Sequence, residues 1–151
     1  DEMSTGRSYE DALAEAQRRG IAEADPALDV EGWDTANKLS IIANSILGMS
    51  VTLADIQVTG ITALTQEFIM AEKEQGRRVK LLATAQDGKL SVGPVSLPDS
   101  DFLAHCDGWE MGVEIHSDIY GKMYHKLWER EPIPTAASML RDAVNIMADK
   151  R

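Results

Sequence analysis

Hydrophobic and polar positions along this chain switch repeatedly between the spacing of helices and the spacing of strands. Ser8 begins a capping-box-like SYED, whose hydroxyl and later acid suit the free N–H groups of a helix start, and Gly20 is the natural stop of that helix. A second helix is predicted from about Trp33 to Leu47, ending at Gly48. A short strand near Ile56 to Ile61 leads to Thr65, a cap for a helix running through Glu74 and Gly76. Asp87-Gly88 joins strands at Val79 to Ala85 and Lys89 to Val92 as a hairpin. Pro94 and Pro98 are expected to interrupt the chain before a short helical turn around Phe102 to His105. Gly112 to Ser117 and Lys122 to Leu127 read as strands around a turn at Tyr120-Gly121, and Pro134 suits the first turn of a last helix reaching Met147. The order implies an α+β class, with a mixed or antiparallel sheet and helices packed mainly on one face.

Composition narrows the function classes. A chain of 151 residues buries one good core, so residues 1–151 are expected to form a single domain. A net charge of −10 argues against nucleic acid or an anionic membrane as partner, because both repel an acidic surface. No apolar run approaches the roughly 20 residues of a membrane span, and the charged start DEMSTGRSYED is unlike a signal peptide. The one cysteine, Cys106, excludes an intrachain disulfide and makes a reducing cytoplasm the default location. Cys106 itself reads as a small buried hydrophobe. His105, His116 and His125 lack the spacing with acids or cysteines that marks zinc, so no metal is expected.

The chemistry concentrates between Ala22 and Leu39, in AEADPALDVEGWDTANKL. Pro26 disfavours helix at Ala24 and Asp25, Gly32 frees the backbone before Trp33, and an acidic loop between them is delivered to the amino end of the next helix. Asp34 and Lys38 stand four apart and share a face of that helix. Such a pair is commonly a solvated contact that stabilises a helix by only about 0.2–0.5 kcal/mol. Acids in a first turn also suit the positive end of the helix dipole without any chemistry. The other reading is a pocket in which Glu23 and Asp29 face Asp34 and Lys38 and hold a small polar substrate bearing an ammonium and a hydroxyl.

The run Glu23, Asp25, Pro26, Asp29, Gly32, Asp34, Lys38 resembles the signature of the homoserine dehydrogenase catalytic domain. The likeness extends to SYEDALAEAQRRG (Ser8 to Gly20), to Gly60-Ile61 with Ala71 and Gly76, to VKLLATA (Val79 to Ala85) and to PTAASMLRDAVNIMA (Pro134 to Ala148). It covers nearly the whole chain with the order of its parts preserved. The resemblance implies NAD(P)-dependent hydride transfer between homoserine and aspartate 4-semialdehyde, in the biosynthesis of threonine and methionine. Lys38 would handle the proton at the substrate oxygen, Asp34 would position Lys38, Glu23 would hold the substrate amino group, and Asp29 would line the pocket. A homodimer is implied as well. Proton transfer to a developing alkoxide from a cation both supplies the proton and stabilises the charge.

Two departures qualify the match. None of the eleven glycines forms the GxGxxG turn that brings a pyrophosphate to a helix amino terminus, so NAD(P) is expected to be bound mainly by a nucleotide-binding domain or chain absent here. The family also carries a GPGAG-like loop before its PTA, where this chain has Leu127, Trp128, Glu129, Arg130 and Glu131. Bulky residues obstruct the close approach that glycines permit. Three readings stay open: the substrate domain of an oxidoreductase of this kind, a non-catalytic dimerisation or small-ligand-binding module of the same fold, and a related NADP-dependent reductase with a different substrate.

Overall fold

The computed structural model describes residues 1–128 and 132–148. They divide into two compact units, one of Asp1–His105 and one beginning at Cys106.

The first unit opens with a 3-10 turn at Glu2–Thr5 that ends at Gly6 in the left-handed region. Helix α1 spans Tyr9–Arg18, and the Ser8 hydroxyl accepts from the Asp11 N–H at 3.1 Å, as the SYED run predicts. The stretch read as a plain acidic loop contains a single helical turn, α2 (Ala27–Val30), because the Asp25 carboxylate accepts from the Ala27 N–H directly after Pro26. Helix α3 runs over Trp33–Ser45, strand β1 over Ile56–Val58, and helix α4 over Gln66–Glu74 with the Thr65 hydroxyl capping Phe68 N–H. Strands β2 (Arg77–Gln86) and β3 (Lys89–Pro98) form the hairpin. Its turn residues both take positive φ, 51° at Asp87 and 73° at Gly88, as a type I′ turn requires. A 3-10 turn at Leu103–His105 closes the unit.

The sheet order is β1-β3-β2, with β1 parallel to β3 and β2 antiparallel to it. Pro94 and Pro98 do not interrupt β3. From the turn-closing pair Gln86 and Lys89, hydrogen-bonded and non-hydrogen-bonded pairs alternate, and both prolines fall on non-hydrogen-bonded pairs, opposite Leu81 and Arg77. Their missing donors therefore point away from β2, on the side where β1 pairs only as far as Val92.

Alternation along the strands aims Ile56, Leu90 and Val92 at one face, where they bury Ala36, Leu39 and Ala43 of α3. The two alanines let α3 approach the sheet closely, and Leu39 fills the space between strands. Helix α4 lies on the same face, since Glu72 reaches Ser96 of β3, two positions on from Pro94 in that alternation. Glu72 is the one charged residue buried among the described residues. It accepts from Arg77 Nε at 2.7 Å and Nη2 at 2.8 Å, and from the Ser96 hydroxyl. Those donors hold its carboxyl below the usual carboxylate range, Arg77 first and Ser96 second. The opposite face of the sheet carries Gln57, Leu82, Thr84, Ser91 and Gly93 around a shallow hollow of about 320 Å³.

The second unit contains the antiparallel ribbon of β4 (Glu110–Ser117) and β5 (Gly121–Trp128), together with helix α5 (Ile133–Ala148). Ser117 accepts from the N–H groups of Ile119 and Tyr120, and Gly121 takes φ 68°, the left-handed residue that returns a three-residue hairpin loop to its strand. Glu114 pairs with His116 and Lys122 on one face of the ribbon, and Glu110 pairs with Lys126 at 2.7 Å. Among the described residues, no helix is long and apolar enough to cross a membrane, and no group of three His, Cys, Asp or Glu is arranged to hold a metal ion.

Candidate functional site

The acidic segment is held at its far end by two close backbone approaches. Gly32, the N-cap of α3, is buried at φ 85°, and a Cβ there would meet the Cγ1 atoms of Val58 and Val92 at 3.3 Å. Gly60, just past β1, passes so near the end of α2 that a Cβ would lie 2.5 Å from the Val30 carbonyl oxygen and 2.7 Å from Glu31 Cα. Ile61 N–H donates to that same Val30 oxygen at 2.7 Å. The turn from α2 into α3 is thereby clamped onto the carboxyl end of β1. Its near end is held from α1, where the Gln17 side-chain amide donates to the main-chain carbonyls of Glu23 at 3.0 Å and Ala24 at 3.2 Å.

On this frame Asp34 occupies the first turn of α3, where the helix dipole favours a carboxylate, and its Oδ2 accepts from Lys38 Nζ at 2.8 Å. At about 100° per residue, Asp34, Lys38 and Ile41 share one face, and the buried stripe Ala36, Leu39, Ala43 lies roughly half a turn round from it. The pair thus stands on the side of α3 opposite its own core, with the Lys38 side chain 66% exposed and Asp34 46%. Ile41, Ile46 and Leu47, which continue the segment in sequence, are exposed as well, and only Leu39 of that group is buried.

The structure brings together two of the four sequence-predicted residues. Glu23 lies exposed in the loop between α1 and α2, and Asp29 is half-buried within α2. Among the described residues, neither carboxylate takes part in a hydrogen bond or an ion pair, and Lys38 pairs with Asp34 alone. Two acids without partners and a paired acid–ammonium therefore sit within sixteen residues of sequence, three of the four on α2 and α3, whose connecting turn is packed at the carboxyl end of β1. Such a set can bind a cationic group on the free acids and move a proton at the ammonium. Gln17 and Gly60 had no place in the sequence reading as site-forming residues. Gln17 has no helical partner pattern to reveal it, whereas Gly60, inside the strand read over Ile56 to Ile61, carried the usual signal of a close backbone approach. Of the segment Leu127 to Glu131, Leu127 and Trp128 end β5 and are exposed, and Glu129, Arg130 and Glu131 lie outside the described residues.

The chain is similar to known proteins over most of its length. The family model described as homoserine dehydrogenase matches residues 1–144. Homoserine dehydrogenase of Methanocaldococcus jannaschii is 37% identical over 141 residues, which are 93% of this chain and 42% of that protein. The enzyme of the same name from Sulfurisphaera tokodaii is 40% identical over 117 residues, covering 78% of this chain and 36% of its own length. Among solved structures, a homoserine dehydrogenase from Thiobacillus denitrificans superposes with a TM-score of 0.82 at 34% identity, over 95% of this chain and 34% of that one. The chain spans about two fifths or less of these relatives.

Proposed function

From the premise that this chain belongs to the homoserine dehydrogenase family, we propose that it is the substrate-binding part of an NAD(P)-dependent oxidoreductase interconverting homoserine and aspartate 4-semialdehyde. The observation that carries the reading is the Lys38–Asp34 pair at 2.8 Å, within sixteen residues of sequence of Glu23 in its loop and Asp29 in α2, whose carboxylates have no partner among the described residues. The described residues contain no glycine-rich turn between a strand and a helix amino terminus that fits a dinucleotide. A nucleotide-binding domain from elsewhere is the source of the cofactor, and NAD(P) held there supplies the hydride chemistry. This chain's own residues bind the substrate and move its proton.

Glu23 and Asp29 hold the substrate ammonium through charge-assisted hydrogen bonds. Lys38, as the free amine, takes the hydroxyl proton of homoserine while the carbinol becomes an aldehyde; as the ammonium, it returns that proton to the oxygen in the reverse direction. Asp34 fixes where the Lys38 nitrogen stands. Because the pair faces away from the core of its own unit, a covering domain on that side completes the pocket and excludes water. The same reading makes the protein a cytoplasmic homodimer in threonine and methionine biosynthesis, supported by its family.

The decisive assay joins the chain to a nucleotide-binding domain and follows homoserine-dependent reduction of NAD or NADP. Turnover is expected, and Lys38→Ala is expected to lower it by about 100-fold or more. A non-catalytic dimerisation or ligand-binding module is the second reading, favoured by the sequence Leu127, Trp128, Glu129, Arg130, Glu131 where the resemblance expects a glycine-rich loop. That reading requires no turnover of homoserine in the same assay.

A further inference from the structure

Glu23 presents an unusual combination of a restrained main chain and an unengaged side chain. Its carbonyl oxygen, and that of Ala24, both accept from the half-buried Gln17 amide, whereas its carboxylate has no partner among the described residues. Two carbonyls can only accept, so the donor must be the NH2 group of Gln17, and both its hydrogens are committed to this loop. The segment around Ile21 and Ala22 also returns its N–H groups to the Ala16 carbonyl, at 2.9 and 3.3 Å. The loop therefore leaves α1 in a fixed direction and is stopped at Glu23 before it reaches Asp25, whose carboxylate starts α2.

We infer that Gln17 is a positioning residue for substrate recognition: acting through the main chain, it sets where the Glu23 carboxylate meets the substrate ammonium. This inference rests on the proposed role of Glu23. No atom of Gln17 contacts the substrate in this arrangement. An ammonium held by a carboxylate needs its partner placed to within a fraction of an ångström, and a loop released at Glu23 loses that placement while Lys38, on α3, keeps its own. Loss of Gln17 therefore weakens substrate binding and spares the proton step.

The test uses the chain joined to its nucleotide-binding domain, with Gln17→Leu removing the donors and Gln17→Glu keeping the size while opposing two carbonyls with an acceptor. Both variants are expected to raise the KM for homoserine by about tenfold, with kcat and the KM for the nicotinamide nucleotide within about twofold of the parent. Glu23→Gln is expected to raise the same KM, and adding Gln17→Leu to it to bring little further change, because the two act on one contact. Hydrogen exchange on the parent and Gln17→Leu chains gives a readout free of activity, with faster exchange expected over residues 21–25 and unchanged exchange in α3 and the sheet. A Gln17→Leu enzyme with unchanged KM, additive effects in the double variant, or unaltered exchange over 21–25 each overturns the inference while leaving the dehydrogenase reading intact. A parent enzyme that turns over no homoserine overturns that reading, and the substrate side of the inference with it.

Discussion

At the scale of single residues, two carboxylates show how the same group serves opposite ends. Asp34 is about half exposed and pairs with an exposed ammonium, so the pair contributes little to folding, and on the proposed function its part is to place the Lys38 nitrogen. Asp34→Asn is accordingly expected to leave the melting temperature within a degree or two, about the effect of a typical surface change, and to lower homoserine turnover. Thermal scans and the coupled assay on one preparation check both halves. Glu72 is the reverse case: buried, doubly held by Arg77 and bonded by Ser96, it is structural. Its folded pKa is depressed, so its contribution is complete above the ordinary carboxylate pKa and disappears as pH falls through the folded value. Melting temperatures measured from neutral pH into acid are expected to fall for the parent chain, and Glu72→Gln is expected to start lower and vary less over that window. Lys38 and Asp34 were legible because four-residue spacing and the family signature coincide on them. Glu72 was not, because its partners are 5 and 24 residues away and nothing local pairs an acid in α4 with a serine in β3.

Elements carry the second set of consequences. Helix α3 turns a narrow stripe of Ala36, Leu39 and Ala43 to the sheet, so one leucine supplies most of the apolar bulk at that contact. Leu39→Ala is expected to cost about 2–5 kcal/mol, read from the denaturant midpoint at constant slope. Gly60 meets α2 so closely that any Cβ must push the backbone of Val30 and Glu31 aside. Gly60→Ala is expected to cost about 1–3 kcal/mol and to displace the turn carrying Asp29 and Asp34, visible as chemical-shift changes spread over residues 29–38. Most elements were readable from their ends: Ser8 and Thr65 cap where expected, and Asp87-Gly88 turns as that dipeptide does. The failures are local to places where tertiary register decides. β3 continues through Pro94 to Pro98 because the register turns both missing donors away from β2, and α2 forms with Pro26 at its start and the Asp25 carboxylate accepting from Ala27 N–H.

On the proposed function, the chain as a whole holds the substrate and a domain from elsewhere holds the nucleotide. The α+β class, the mixed sheet and the helices on one face of it follow from patterning, and the structure bears them out in the first unit. The pairing of β1 parallel to β3 was out of reach, since parallel partners need a crossover and three residues of β1 carry no sign of which strand they join. If the nucleotide is bound elsewhere, NAD and NADP are expected to leave the melting temperature of this chain unmoved at millimolar concentration, whereas a site of ordinary affinity raises it by several degrees. The two prolines of β3 have one more effect. Beyond Val92, the N–H groups aimed past β1 belong to positions 94, 96 and 98, and only Ser96 retains a proton to offer. That margin is a poor template for a stray strand from a neighbouring molecule, so the molecule is guarded there against amyloid-like stacking, and Pro94→Ala with Pro98→Ala would remove the guard.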